Sequence, residues 1–220
     1  MNERETLTPE YFDNVYAAND DPWDFTSSKY EAEKYAETIA ALPGGNYKNA
    51  FEIGCSIGVL TEKLAKKCDN LLAVDVSERA LERAKKRCEN LSNVCLQIMQ
   101  IPNEFPDEIF DLILISEVGY YLAPEDWQTA MKKTFSHLVA NGQIVLVHWT
   151  PPVHDYPQTG DAVHDSFVKF AKGKMQNLKN LRREKYRLDV WENLDKKAVQ
   201  FNVKDTTKQI EKPESLLEFE

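Results

Sequence analysis

Two glycines four residues apart, Gly54 and Gly58, follow an apolar run with a single acid, Glu52, in the stretch FEIGCSIGVL. A turn so bare of side chains lets backbone approach a ligand closely. A phosphate loop would need G-x-x-x-x-G-K-[ST], and no lysine follows Gly58. A dinucleotide turn would need glycines at relative positions one, three and six. Here Ser56 and Val59 occupy the last two, removing the glycines that let backbone reach a pyrophosphate and let the helix close on the strand. Asp75 ends NLLAVD, 21 residues after Gly54, where a carboxylate meets ribose hydroxyls in this kind of topology. A carboxylate suits that place because it accepts both hydrogen bonds of a vicinal diol. Two further apolar runs end in groups able to handle protons: FDLILISEVGYYL in Ser116 and Glu117, with Tyr120 following, and QIVLVHW in His148.

These residues need elements to carry them. Short, nearly continuous apolar runs predict strands over 49–53, 70–74, 94–98, 110–115 and 143–148, each buried on both faces. Helical patterns at 58–67, 78–90 and 125–138 lie between them, with Ser77 as the N-cap of the second. Such alternation implies right-handed crossovers and a doubly wound α/β sheet, with ligands outside the carboxyl ends of the strands. A helix over 162–171 and a closing strand in REKYRLDVWENL follow; an antiparallel edge hairpin fits there, although its first strand has no clear signal. Ahead of the sheet, Thr8 and Pro9 open a short helix. A second begins after Thr26–Ser28, with Tyr30, Lys34 or Tyr35, Ile39 and Leu42 at helical spacing, and ends at Pro43–Gly45.

The chain has 220 residues, a net charge of −9 and a pI near 5.1. Its charged runs are short and mixed, which argues against a nucleic-acid partner. Cys55, Cys68, Cys88 and Cys95 form no C-x-x-C pair and read as free thiols of a reducing cytosol. No apolar run reaches membrane-spanning length, and MNERETLTPE is charged where a signal peptide needs an apolar core. A cytoplasmic location is expected. His154 and His164 with Asp155, Asp161 and Asp165 fit no regular ligand spacing, so no metal is expected.

The pattern acid-x-Gly-x-x-x-Gly resembles motif I of class I S-adenosylmethionine-dependent methyltransferases, whose turn cradles the amino-acid and ribose parts of the cofactor. In that pattern the residues past the third strand touch the adenine. Met99 and Gln100 stand there, without the acid often found for the exocyclic amine. More specifically, YFDNVYAANDDPWDFTSSKYEAEKYAETIAALP, EIGCSIGVLTEKLA, FDLILISEVGYYL and VHW…DYPQTGDAVH together resemble the nodulation protein S (NodS) family. Its members transfer a methyl group from S-adenosylmethionine to an amine of a deacetylated chitooligosaccharide.

The likeness covers about residues 11–193. It implies a mostly parallel, seven-stranded Rossmann-like sheet with a helical lid over 1–45 and a cofactor-binding core over 46–194; residues 195–220, beyond the likeness, are charged and weakly patterned and read as a tail or edge extension. It also implies that Gly54, Cys55, Ser56 and Gly58 line the cofactor, that Asp75 binds ribose, that Val76 and Ser77 lie near adenine, and that Trp23 and Tyr30 cover it. Glu52, Met99, Gln100 and Ser116 complete the expected cofactor-binding set. Glu117, His148 and Tyr120 are the expected catalytic groups acting on a small-molecule acceptor. Amine methylation leads; methylation of a hydroxyl, or cofactor binding without catalysis, are the alternatives.

Overall fold

The computed structural model describes residues 5–195, so the expected tail lies outside the described residues except for Asp195. Helix α1 (Pro9–Ala18) starts as the sequence dictates, with the Thr8 hydroxyl accepting from Tyr11 N–H and Pro9 in the first turn. Helix α2 (Lys29–Ala41) is capped the same way by Ser28, which accepts from Glu31 N–H.

The sheet then begins with β1 (Tyr47–Ile53) and α3 (Val59–Leu64), followed by β2 (Cys68–Asp75), α4 (Glu78–Arg87), β3 (Val94–Ile98) and β4 (Phe110–Ser116). It continues with α5 (Pro124–Ser136), β5 (Leu138–Trp149), α6 (Gly160–Ala171), β6 (Met175–Arg182) and β7 (Tyr186–Asn193). The strand order is β3-β2-β1-β4-β5-β7-β6. The first five strands are parallel, while β7 lies antiparallel between β5 and β6. This is the doubly wound α/β sheet that the alternation predicts.

Each apolar strand feeds two cores, because successive side chains point to opposite faces. Leu71, Ala73, Leu112, Leu114, Val145 and Val147 pack under Tyr35 of α2 and Leu81 and Ala84 of α4. Phe51, Ile53, Ile113, Ile115, Ile144 and Leu146 pack under Trp127 of α5 and Phe167 of α6. A fully buried side chain of this size contributes about 1.5–3 kcal/mol, so the two layers hold the strand ends in fixed positions.

Several elements differ from the sequence expectation: β3, at the sheet edge, is half-buried to exposed rather than covered on both faces, and α4 ends at Arg87 rather than at residue 90. The helix after β1 shortens to α3 and tightens into a 3-10 turn at Ala65–Lys67. The helix expected to run to residue 138 stops at Ser136, because Leu138 already pairs with Phe110; Asn141, in the left-handed region at φ 60°, lies within the strand that results. The unseen strand is β6, MQNLKNLR, whose mostly exposed, polar face gives no apolar run to detect. Among the described residues, no helix is long and apolar enough to cross a membrane.

Candidate functional site

Strand numbering reverses on either side of β1, which pairs with β2 on one edge and β4 on the other. Crevices form at such a point, outside the carboxyl ends of the strands. Here a cavity of about 500 Å³ spans the ends of β1 to β5, and residues of α1, α2 and the segment joining them complete its wall.

The wall over β1, β2 and β3 is built from the glycine turn. Gly54 adopts φ 85°, and a side chain there would collide with Val118 and press on the Ser116 carbonyl. The Gly54 and Cys55 N–H groups both donate to the Val74 carbonyl at 2.9 Å, tying the turn to β2. This aims the Ser56 N–H at Asp75 Oδ2, 2.8 Å away, while Ser77 N–H donates to Oδ1 at 2.9 Å. Burial pushes the Asp75 carboxyl up from its ordinary value, and the amides of Ser77, Ser56 and Val76 oppose that. Each carboxylate oxygen keeps a further lone pair. Val76, Met99, Gln100 and Ser116 line the same cavity, as does Cys55, whose buried thiol is pushed far up and so stays protonated.

Helix α1 closes this end. The Tyr16 hydroxyl shares a hydrogen bond with Ser56 Oγ, and Ser77 Oγ donates to Asp13 at 2.6 Å. Trp23 lines the cavity and packs edge-on against Tyr16, with ring centres 5.6 Å apart.

Three residues expected around the cofactor are off the cavity wall. Glu52 is fully buried beneath the turn, and desolvation pushes its carboxyl up to about 7, with Thr61 opposing and Asp75 adding. Gly58 serves the fold: it caps α3 at φ 80°, and a side chain there would press on Ala84 of α4. Ser77 is buried, capping α4 and holding Asp13.

The other end, over β4 and β5, holds an ionic cluster. Lys34 Nζ lies 2.6 Å from Glu117 Oε1 and 3.0 Å from Glu31 Oε1, with the lysine side chain only 2% exposed. Burial pulls the ammonium down, but Glu117 and Glu31 outweigh it and hold the group above its ordinary value. Glu117 sits at φ 58°, and its Oε2 also accepts from the Tyr120 hydroxyl at 2.5 Å and from Trp149 N–H at 2.8 Å. Burial and the Glu117 charge push the Tyr120 hydroxyl far up. Tyr30, Tyr120, Trp149 and Tyr156 supply aromatic surface around the cluster.

His148 corrects the sequence expectation. Its side chain is fully buried outside the cavity wall. Nε2 accepts from Gly119 N–H at 3.0 Å, which makes Nδ1 the donor to His164 Nε2 at 3.1 Å. His164 Nδ1 in turn donates to Asp189 Oδ2 at 2.7 Å. Desolvation, with His164 and then Lys34, pulls His148 well below its ordinary value. Neither ring nitrogen is free to take a proton from a substrate.

Lys34, Glu31, Tyr16 and Asp13 are the wall and latch residues that the catalytic and cofactor expectations passed over. A signal for Lys34 existed: the helical spacing of α2 puts a charged residue on an inward face, which demands a buried partner.

A family model for nodulation protein S (NodS) matches residues 13–150. Nodulation protein S of Rhizobium tropici is 32% identical over 135 residues, covering 60% of this chain and 57% of that protein. The protein of the same name from Sinorhizobium fredii is 34% identical over 133 residues, covering 59% of this chain and 61% of the relative. The chain thus spans about three fifths of the length of these curated relatives. The N-methyltransferase NodS from Bradyrhizobium japonicum WM9, solved in complex with S-adenosyl-L-homocysteine, aligns with a TM-score of 0.73 at 25% identity, covering 85% of this chain and 99% of that one.

Proposed function

Because the chain belongs to the nodulation protein S family, we propose that it transfers the methyl group of S-adenosylmethionine to an amine of a small acceptor. The cofactor becomes S-adenosylhomocysteine. The observation that carries this reading is the Ser56–Asp75–Ser77 arrangement facing the cavity. A carboxylate held by two backbone amides, with lone pairs to spare, suits a vicinal diol. Val76, Met99 and Ile101 offer apolar surface for a flat ring. The residues present therefore fit the group, and the solved relative that binds S-adenosylhomocysteine shares the fold.

When bound, the cofactor supplies an electrophilic methyl group whose bond to sulfur breaks with both electrons staying on sulfur. The chain's own work is alignment and exclusion of water, which carry much of the barrier reduction in such transfers. Asp75 and the glycine turn fix one partner. Glu117, anchored by Lys34, Tyr120 and Trp149 N–H, shapes the place of the other. Glu117 is too fully hydrogen-bonded, Tyr120 too weakly acidic and His148 too deeply buried to serve as a ready base. That favours an amine over a hydroxyl acceptor: a neutral amine brings its own lone pair and releases its proton only after transfer, whereas a hydroxyl needs help beforehand. An amino-sugar acceptor agrees with the family. A cytosolic location agrees with four free cysteines.

Calorimetric titration with S-adenosylmethionine, S-adenosylhomocysteine and NAD tests the reading. Micromolar binding of the first two, at least tenfold weaker in Asp75→Ala, is expected. Loss of both hydrogen bonds to the charged carboxylate sets that scale, at roughly 1.5–3 kcal/mol each. Binding of NAD alone, or of none of the three, overturns it.

A further inference from the structure

Family likeness assigns Tyr30 to the cofactor's cover, but the fold puts it at the opposite end of the cavity. Its ring meets Trp149, at the end of β5, edge-on at 5.9 Å, and Tyr186 of β7 at 6.2 Å. Both strands lie beyond β4, whereas Asp75 ends β2 and Met99 follows β3, on the far side of β1. Trp23, by contrast, packs with Tyr16 and Phe25 near the glycine turn. The two aromatic residues therefore guard different halves of one cavity.

The Tyr30 hydroxyl is buried and has no hydrogen-bond partner. Glu117 is already bonded to Lys34, Tyr120 and Trp149 N–H, and Glu31 Oε1 to Lys34, while Glu31 Oε2 is likewise buried without a hydrogen-bond partner. Burying a phenol oxygen with no hydrogen-bond partner costs stability, and such atoms merit a functional explanation. The buried cluster has two carboxylates to one ammonium, and Lys185 Nζ, 5.8 Å from the centres of both the Tyr30 and Trp149 rings, supplies a second cation, so the surroundings suit an uncharged N–H donor. Trp149 and Tyr156 add aromatic faces that suit a sugar ring or a cationic amine.

We propose that Tyr30 is a specificity-determining residue for the methyl acceptor, its hydroxyl receiving an N–H of the acceptor amine while Trp149 lies along the acceptor's body. The inference rests on the methyltransferase reading above and adds which residue selects the acceptor. With one N–H donated to Tyr30, the amine's lone pair is left for the methyl carbon. After transfer the nitrogen is positively charged until it releases its proton, with Glu31 and Glu117 in the neighbouring cluster.

Tyr30→Phe keeps the ring and removes only the hydroxyl. The test compares wild type and variant in S-adenosylhomocysteine affinity by calorimetry, in thermal midpoint, and in methyl transfer to glucosamine, fully deacetylated chitotetraose and ethanolamine. The expected result is an S-adenosylhomocysteine affinity within twofold of wild type and a midpoint that holds or rises. KM for the amines that saturate the wild type should increase roughly 3- to 30-fold, with a smaller change in kcat. A purely structural role would instead lower the midpoint and leave KM alone, overturning the proposal. So would a tenfold loss of S-adenosylhomocysteine affinity with unchanged acceptor KM, which would make Tyr30 a cofactor cover. A wild type that binds S-adenosylhomocysteine but saturates with none of the three amines overturns this inference while leaving the cofactor reading intact. A wild type that does not bind S-adenosylhomocysteine overturns both.

Discussion

The Tyr16 hydroxyl lies 2.5 Å from Ser56 Oγ, so a helix ahead of the sheet is hydrogen-bonded to the turn that follows β1. Ser56 also gives its N–H to Asp75. One serine thus joins the helical cover to the carboxylate at the end of β2. Tyr16→Phe removes the link without opening a hole. A neutral hydrogen bond contributes about 0.5–1.5 kcal/mol, so S-adenosylhomocysteine affinity is expected to fall about 2- to 10-fold by calorimetry. Unchanged affinity would mean that closure of α1 does not depend on this contact.

Lys34 and Glu117 join α2 to the end of β4 across 83 residues of sequence. Lys34→Met leaves two buried carboxylates facing each other without a cation. Truncating one partner of a buried pair costs about 3–5 kcal/mol, which thermal or urea unfolding will show as a clear loss of stability. Adding Glu117→Gln to that variant removes one stranded charge and should recover part of the loss. If the double variant is no more stable than Lys34→Met, the stranded charge is not the cause.

Glu52 makes stability depend on pH in an unusual direction. Its folded carboxyl titrates near 7, against an ordinary 4.5, because burial disfavours the charge. The folded state therefore holds a proton that the unfolded chain has released between those values. This contribution is complete below pH 4.5 and is lost as pH rises through 7. Glu52→Gln abolishes the loss: relative to wild type, the variant gains up to about 3 kcal/mol at pH 8 and much less at pH 5. Chemical denaturation at the two pH values measures the difference, and equal gains at both would refute it.

His148 acts in the reverse sense. Its folded pKa is lowered by burial, so on acidification the unfolded imidazole takes up a proton that the folded one refuses. The stability it contributes is present above pH 6.5 and is lost as pH falls below that ordinary value. His148→Gln is expected to shrink this acid-side loss and to lower stability by about 1–3 kcal/mol at pH 8, since Gly119 N–H and His164 lose well-placed partners. S-adenosylhomocysteine affinity should stay within about threefold. A tenfold loss of affinity in a folded variant would return His148 to the binding site.

The glycine turn, Asp75 and the ends of β4 and β5 were legible because backbone conformation and strand periodicity are local properties. Glu117 was read correctly as a residue at a strand end, but not as one with its acceptors filled. Lys34 belongs to another element, and no local pattern pairs residues so far apart. His148 misled for a related reason. Alternation along β5 shows that a side chain faces one layer or the other, yet whether that layer is solvent, cavity or core depends on α6, which supplies His164. The edge strand β6 escaped detection because one edge of the hairpin carries polar residues that bury little.

The strands and the roof of the cavity come from separate stretches of chain. Among the described residues, every strand lies between Tyr47 and Asn193, whereas Tyr16, Trp23, Tyr30 and Lys34 all precede the first of them. A version trimmed ahead of β1 would lack about a third of its binding wall and, with Tyr35 and Ala41 of α2, part of one core layer. The segment that selects the substrate also covers one face of the sheet, so trimming it sacrifices recognition and stability together.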